Sequence, residues 1–328
     1  MKIAIIDCFN QDIGLKILFP SAHYYINKNE TSTTNYRLNS CKYYNINTEL
    51  DWDKINDSSY DYLFIIFAIH DAIQNIEHEK FKDIKEFIQY NFNTYKHITE
   101  IINNNKFKKV FIFDNYDYDY DPSQYFINNK VDLFFKRNYN KTKIYNTKVV
   151  PFPFIMFGET SLIEKCDREI VTKEEYFKKK IDRVFFTGGL YKHEDHIDNV
   201  IRDRITIYNE IKHTIYNPGF LSYETFLNEL RNSKFSLDIL GVGEPNKRTI
   251  EILLSGSLIL SQKHDMKWPF DEDFCEETMF SDNIDYFVKL NNLIENDELY
   301  RKCLENQYNI VNKYFNKEWI KNYILSKI

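Results

Sequence analysis

Three features that assign many proteins to a class are missing from this sequence of 328 residues: a long apolar run, paired cysteines and an excess of positive charge. No stretch approaches the ~18 continuous apolar residues that a membrane helix needs. The apolar run after Met1 and Lys2 ends at Asp7, which makes it too short for the apolar region of a signal peptide. We therefore expect a protein that neither spans a membrane nor is secreted, and that works in the cytoplasm (of the host, for a viral protein).

The five cysteines are scattered, and no two of them form a C-x-x-C pair. They are Cys8, Cys41, Cys166, Cys275 and Cys303. This spacing gives no sign of a zinc or redox site, and it predicts reduced cysteines buried as small hydrophobic residues.

Positive charge is also not in excess, because 43 Lys and Arg face 49 Asp and Glu, for a formal net charge of -6. Such a chain has no general attraction to phosphate backbones or anionic membranes. The charge therefore argues against nucleic acid as a partner. Asn, Ile, Lys and Tyr are abundant, as an AT-rich genome, including a viral one, would encode.

Glycine is scarce, with 8 residues in the chain, and six of these lie between 188 and 256. Glycine is required where the backbone needs a positive φ or approaches another group closely. In a sequence so poor in glycine, this clustering marks residues 188–256 as a candidate for ligand binding.

Apolar residues are sufficient for two cores, with 43% hydrophobic and 17% aromatic residues. The length also suits two domains of roughly 150 residues each. In the first half, short apolar runs at 3–6, 62–69 and 110–113 predict buried parallel strands, and residues 73–103 show the period of an amphipathic helix. Further strands are expected at 132–137 and 147–154.

The second half repeats the order of strand, loop and helix. Strands are predicted at 183–186, 235–240 and 258–260, helices at 197–213, 222–232 and 248–254, and helical character from 284 to the end. The fold class that follows is α/β, with two Rossmann-like domains facing a central cleft. We place the domains at 1–155 and 182–315, joined by a linker at 156–181, with the last helix, 316–328, packing back on the first domain.

The strongest candidate site is the strand, loop and helix start that run from Ser236 to Ser257. The start of a helix offers unpaired N–H groups and a partial positive charge to a phosphate, and Lys247 and Arg248 add full charges there. Glu251 emerges three residues after Arg248 and can accept hydrogen bonds from two ribose hydroxyls. An exposed Arg248–Glu251 ion pair is the alternative reading of the same residues.

The pattern Arg-x-x-Glu-x-x-x-x-Gly, from Arg248 to Gly256, resembles the donor-site motif of GT-B glycosyltransferases, including exostosin-like and group-1 enzymes. The resemblance implies that Glu251 binds the donor ribose and that Arg248 and the helix start bind the diphosphate. No glycine-rich loop follows Asp7, which departs from the retaining, glycogen-synthase-like subclass. The predicted donor-binding residues are Gly188, Gly189, Arg202, Gly243, Asn246, Lys247, Arg248, Thr249 and Glu251, with Arg204, His193 and His196 as further cations that could reach the diphosphate.

The acceptor side requires a general base at the carboxyl end of a strand of the first domain. His70 and Asp114 both follow predicted strands, and the placement of Asp114 resembles that of the catalytic aspartate in phage DNA glucosyltransferases. Capping of a strand end is the alternative for each. The acidic run Asp117-Tyr-Asp119-Tyr-Asp121 contains the Asp-x-Asp that binds a metal in GT-A enzymes, but GT-B enzymes use helix dipoles and basic residues instead, so we predict no catalytic metal.

Together these features predict a hexosyl-type glycosyltransferase. It would move a sugar from a nucleoside-diphosphate sugar, with UDP or GDP as the nucleotide, to a glycan or other hydroxyl acceptor, without a metal, with inversion, and without a tightly bound cofactor. Two alternatives remain: a DNA-base glucosyltransferase, and an inactive module that binds a nucleotide or a glycan. The sequence does not fix the oligomeric state.

Overall fold

The chain divides into two compact units of parallel β-sheet and helices in a computed structural model. The structure describes residues 1–8, 13–26, 55, 59–67, 85–103, 107–115, 120–154, 162–188, 199–241 and 246–328. The first unit contains residues 1–164, 266–269 and 320–328, and the second contains residues 165–265 and 270–319.

The first unit is built on a sheet with the strand order β2-β1-β3-β4-β5-β6, in which every pair of neighbours is parallel. The strands are β1 (Ile3–Asp7), β2 (His23–Ile26), β3 (Tyr62–Phe67), β4 (Lys109–Asp114), β5 (Leu133–Lys136) and β6 (Val149–Pro151), and the helices are α1 (Gly14–Leu18) and α2 (Lys85–Asn103). β1, β3 and β4 are buried along almost their whole length, which explains why their sequences are continuous apolar runs rather than alternating ones.

Aromatic rings fill much of the first core. Phe113 of β4 stacks on Phe135 of β5 with ring centroids 4.6 Å apart, and Phe64 meets Phe113 at 5.7 Å. The C-terminal residues 320–328 belong to this unit, where the Tyr323 hydroxyl donates to the carbonyl oxygen of Pro151 at 3.0 Å. The first core thus joins residues from both ends of the chain.

The second unit has the strand order β11-β10-β9-β7-β8, again with parallel neighbours. The strands are β7 (Ile181–Phe185), β8 (Ile215–Tyr216), β9 (Ser233–Asp238), β10 (Leu258–Gln262) and β11 (Met279–Phe280). The helices that follow α2 in the chain are α3 (Leu162–Arg168), α4 (Lys173–Phe177), α5 (Asn199–Ile211), α6 (Tyr223–Asn232), α7 (Lys247–Ser255), α8 (Asn283–Glu295), α9 (Asp297–Tyr314) and α10 (Lys317–Leu325). Within the described part of the chain, none of the helices combines the length and the apolar character that a membrane span needs.

The segment predicted to be a linker, residues 156–181, contains α3 and α4 within its described part. Tyr176 of α4 is fully buried, and its hydroxyl donates to the carbonyl oxygen of Leu253 at 2.9 Å and accepts from Gln307 at 2.8 Å. Helices of seven and five residues are too short to show a clear apolar period. The described part of this segment therefore forms two short helices, and its role as a linker stays a prediction.

The expectation that every cysteine is reduced is wrong for one pair. Cys275 and Cys303 form a disulfide with their Cα atoms 5.4 Å apart, whereas Cys8 and Cys166 are buried, as expected. The partners are separated by 28 residues and no spacing motif marks them, so only the packing of α9 brings them together. Cys41 lies outside the described residues.

Candidate functional site

A cavity of about 440 Å³ in the second unit collects the charged residues of the predicted donor site. Its lining residues are Thr187, Gly188, Arg204, Phe220, Leu221, Tyr223, Phe226, Gly241, Asn246, Lys247, Arg248 and Glu251. They come from the residues that follow β7 and β9, from α5, from α6 and the residues just before it, and from the start of α7 with its N-cap. Three of them carry positive charge and one carries negative charge.

The start of α7 is fixed by Asn246, the residue that precedes the helix. The Asn246 Oδ1 atom accepts hydrogen bonds from the amides of Arg248 at 2.8 Å and of Thr249 at 3.1 Å, which is the geometry of an N-cap. These two amides, which we expected to face a phosphate, are therefore committed to the cap. Positive charge at this helix start is supplied to the cavity by side chains.

Arg248 packs tightly against Gly188, so any side chain at this position would displace the guanidinium. A Cβ atom at residue 188 would lie 2.3 Å from the Nη2 atom of Arg248, and the guanidinium carbon is 4.9 Å from the centre of the Phe186 ring. The contact on the aromatic face stabilises the cation and fixes its plane. The glycine after β7 thus serves to admit the guanidinium of α7.

Arg204 of α5 brings a second guanidinium to the cavity. Its Nη2 atom donates to the carbonyl oxygen of Ile239 at 2.8 Å, just after the end of β9. Together with Lys247 and Arg248 it gives the cavity three cationic side chains. A positively lined cavity of this kind fits an anionic ligand with more than one negative charge.

Glu251 provides the carboxylate of the cavity, and it is only 4% exposed. Its Oε1 atom lies 2.9 Å from the Nζ atom of Lys165 in α3 and 4.0 Å from that of Lys247. Lys165 is fully buried and also donates to the Tyr223 hydroxyl. Burial, reinforced by the carboxylates of Glu251 and Glu169, raises the pKa of the Tyr223 phenol well above its ordinary value, so this hydroxyl stays a neutral donor.

Two solved structures show a similar overall fold. One is the beta-glucosyltransferase of T4 phage in complex with UDP and Mn²⁺, with a TM-score of 0.51, 13% identity, and coverage of 100% of this chain and 99% of that chain. The other is a mutant O-GlcNAc transferase of Thermobaculum terrenum, with a TM-score of 0.54, 8% identity, and coverage of 99% of this chain and 66% of that chain. The sequence matches no protein-family model and no curated protein.

The chain has the GT-B fold. This likeness confirms the predicted α/β class with two Rossmann-like domains, and at such low identity it shows the fold alone. The exostosin-like subtype stays a prediction.

The structure brings together five of the predicted donor-site residues around the cavity of this GT-B chain: Gly188, Asn246, Lys247, Arg248 and Glu251. Thr249 lies behind it, because its hydroxyl donates to Asp238 Oδ2 at 2.7 Å and the residue is 3% exposed. Gly189, Gly243 and His70 lie outside the described residues, as do His193 and His196. Arg202 lies on α5, but its side chain is outside the described set.

Two residues of the site carry no sequence signal that pointed to them. Lys165 belongs to a segment that we interpreted as a linker, and Tyr223 is one of 25 tyrosines in the chain. Lys165 and Glu251 are 86 positions apart, so no local pattern could pair them. Only the fold places the lysine against the carboxylate.

Asp114, the predicted general base, ends β4 in the first unit. Its Oδ2 atom accepts a hydrogen bond from the Nζ atom of Lys136 at 3.0 Å and its Oδ1 atom accepts one from the Tyr120 hydroxyl at 2.7 Å. The side chains of Asp114 and Lys136 are both fully buried. Catalysis by Asp114 would require an acceptor hydroxyl to replace that of Tyr120.

The acidic run before Pro122 is described only at its end. Asp121 caps a short 3-10 helix, Pro122–Phe126, by accepting from the amide of Ser123 at 2.9 Å. Asp117 and Asp119 lie outside the described residues. Among the residues that the structure describes, no three His, Cys, Asp or Glu side chains are grouped to bind a metal ion.

Proposed function

We propose that the chain is a glycosyltransferase that transfers the sugar of a nucleoside-diphosphate sugar to a hydroxyl acceptor, and that the cavity of the second unit binds the donor. The observation that carries this proposal is the start of α7, where Lys247, Arg248 and Glu251 face one cavity. Cations for a diphosphate and a carboxylate for a ribose are thus spaced within five residues of one helix. The GT-B fold supports the proposal.

The diphosphate is proposed to lie among Arg204, Lys247 and Arg248. A guanidinium can bind two phosphate oxygens in a bidentate fork, and Arg248 is already fixed in position by Gly188 and Phe186. A cation that is preorganised in this way needs little rearrangement when the ligand binds. We expect Arg248 to contribute most of the phosphate affinity.

The same cations would act in the reaction. When the bond from the sugar to the diphosphate breaks, negative charge develops on the departing phosphate oxygen. Positive groups that are aimed at this oxygen in advance stabilise the transition state. We propose that these side chains do so without a divalent cation, so donor binding should persist in EDTA.

Glu251 is proposed to bind the ribose. An ionised carboxylate can accept hydrogen bonds from both hydroxyls of a vicinal diol, and Glu251 lines the cavity one helical turn after Lys247 and Arg248. On the acceptor side, Asp114 remains our proposal for the general base of an inverting reaction.

The test is a thermal-shift and calorimetric screen of UDP, GDP, ADP and their sugars. A ligand that binds only the native state must raise the melting temperature. We expect one nucleoside diphosphate to do so for the natural protein, and Arg248→Gln to weaken its binding by about 10- to 100-fold, since a charge-assisted hydrogen bond contributes about 1.5–3 kcal/mol.

The matched control is Arg301→Gln, which removes the same group from an exposed position on α9 and should leave binding unchanged. Equal binding by the Arg248 and Arg301 variants would contradict the proposed phosphate site.

Two further measurements test the alternative functions. Slow release of free nucleoside diphosphate from a sugar donor would distinguish an enzyme from an inactive binding module. Binding of duplex DNA that weakens as the salt concentration rises would favour a DNA-base glucosyltransferase.

A further inference from the structure

Lys165 is a fully buried lysine whose ammonium group lies behind the cavity of the second unit. It belongs to α3, and its Nζ atom is 2.9 Å from the Oε1 atom of Glu251. A charged group without access to water is tolerated only where nearby groups compensate it. The groups around Lys165 therefore show how its buried charge is compensated.

Three groups surround the Nζ atom. Besides Glu251, it donates to the Tyr223 hydroxyl, and it lies 3.5 Å from each carboxylate oxygen of Glu169. The Tyr223 hydroxyl in turn donates to Glu169 at 2.8 Å, and the Nζ atom is 4.7 Å from the centre of the Tyr223 ring. An ammonium group has three protons, so the three acceptors match its bonding capacity.

This arrangement holds the Glu251 carboxylate at the wall of the cavity. Glu251 is 4% exposed, and one of its oxygens is held by a lysine that cannot move into solvent. Lys247, the other nearby cation, is 4.0 Å away with a side chain that is 36% exposed, so it holds the carboxylate less tightly. The orientation of the carboxylate in the cavity thus depends on Lys165.

We propose that Lys165 is a positioning residue, whose ammonium group holds the Glu251 carboxylate in the orientation that accepts the two ribose hydroxyls. The proposal rests on the proposed function of the cavity. Lys165 would not touch the nucleotide itself, and its effect on binding would pass through Glu251.

A purely structural role for the same ion pair makes a different prediction. If Lys165 only stabilised the fold, its loss would lower the melting temperature and weaken all nucleotides alike, or none. If it positions Glu251, its loss must weaken nucleotides that carry ribose hydroxyls and spare those that lack them. The ratio of the two affinities therefore distinguishes the roles.

The experiment compares the nucleoside diphosphate that binds the natural protein with its 2′,3′-dideoxy analogue by calorimetry. We expect the natural protein to prefer the ribose form by about 100-fold or more, because two hydrogen bonds to a charged group are lost in the analogue. Lys165→Met should lose most of this preference while it still binds the dideoxy form. Lys165→Arg, which keeps a buried cation, should recover part of it.

The matched control is Lys180→Met. Lys180 is a partly buried lysine of the second unit whose Nζ atom donates to the carbonyl oxygen of Arg231 at 2.7 Å, and it does not line the cavity. This variant should keep the full preference for ribose. A loss in both methionine variants would point to a general loosening of the unit and overturn the positioning role.

A second measurement tests the proposal even if Lys165→Met alone folds poorly. Lys165→Met combined with Glu251→Gln removes both charges, so no uncompensated ion stays buried. If Lys165 acts through Glu251, the double variant and Glu251→Gln alone should have the same ribose preference. A further loss in the double variant would overturn the proposal.

The two proposals fail in different ways. A natural protein that binds no nucleoside diphosphate overturns the proposed function, and the positioning role falls with it. If the natural protein prefers ribose, either of two results overturns the positioning role alone: Lys165→Met keeps the full ribose preference, or the double variant loses more of it than Glu251→Gln does.

Discussion

Each unit of the molecule contains a fully buried lysine paired with a carboxylate. In the first unit, Lys136 lies 3.0 Å from Asp114, and in the second, Lys165 lies 2.9 Å from Glu251. Residue types, distances and burial are nearly the same in both pairs. The pairs differ in what the carboxylate meets beyond its lysine.

Both oxygens of Asp114 are bonded within the first unit, one to Lys136 and the other to the Tyr120 hydroxyl. Glu251 instead lines a cavity that also contains three cationic side chains. A buried ion pair is therefore no sign of a binding site by itself. What indicates a binding site is a carboxylate that its lysine holds at the wall of a charged cavity.

The largest effect expected from this comparison is on stability. Lys136→Met should lower the free energy of unfolding by about 3–5 kcal/mol, because it removes the cation that is paired with the buried Asp114 carboxylate. Lys165→Met should cost less, because Lys247 remains near Glu251 and the cavity admits water. Chemical denaturation of both variants measures the difference. An equal or larger loss of stability in the Lys165 variant would contradict the expectation that Lys247 and water in the cavity offset the loss of this cation.

The fold was largely predictable because its signals are local. β1, β3 and β4 are continuous apolar runs, and α7 begins one residue before the helix predicted at 248–254. The grouping of Lys247, Arg248 and Glu251 at one cavity was predictable for the same reason, since the three residues lie on one helix.

The sequence could not show contacts between residues that are far apart along the chain. Lys165 meets Glu251 across 86 positions, and Lys136 meets Asp114 across 22. Both carboxylates looked equally available for chemistry in the sequence. Their lysines are charged residues without a marker of burial, so neither pair was foreseen.

A second prediction separates structure from catalysis in the first unit. Asp114→Asn combined with Lys136→Met removes both charges while the amide can still bond to the Tyr120 hydroxyl, so this variant should recover much of the stability lost in Lys136→Met. If Asp114 is the general base, transfer by the folded double variant should still fall by about 100-fold or more. Initial rates at saturating donor measure this loss, and a folded double variant with natural activity would assign the first pair to stability alone.

The smallest effects, on stability and on donor affinity, are expected from substitutions at two glycines of the second unit. Gly256 has a φ of 77°, and a Cβ atom there would lie 2.8 Å from the Cα atom of Tyr176. Because a left-handed conformation costs about 1–2 kcal/mol for a residue other than glycine and the backbone of α4 cannot easily yield, Gly256→Ala should lower stability by at least that amount. Donor affinity should not change, since residue 256 is not part of the cavity lining.

Gly188→Ala should show the opposite pattern. Here the added Cβ atom would meet the Nη2 atom of Arg248 at 2.3 Å, which is the far end of a flexible side chain that can move aside. We expect little loss of stability and a weaker affinity for the diphosphate, because the guanidinium leaves the position that Phe186 and the glycine give it. Thermal unfolding and donor titration of the two alanine variants test this. A Gly188→Ala variant that unfolds as easily as Gly256→Ala and binds the donor normally would show that Gly188 serves the fold. It would contradict the inference that Gly188 holds the Arg248 guanidinium in position for the diphosphate.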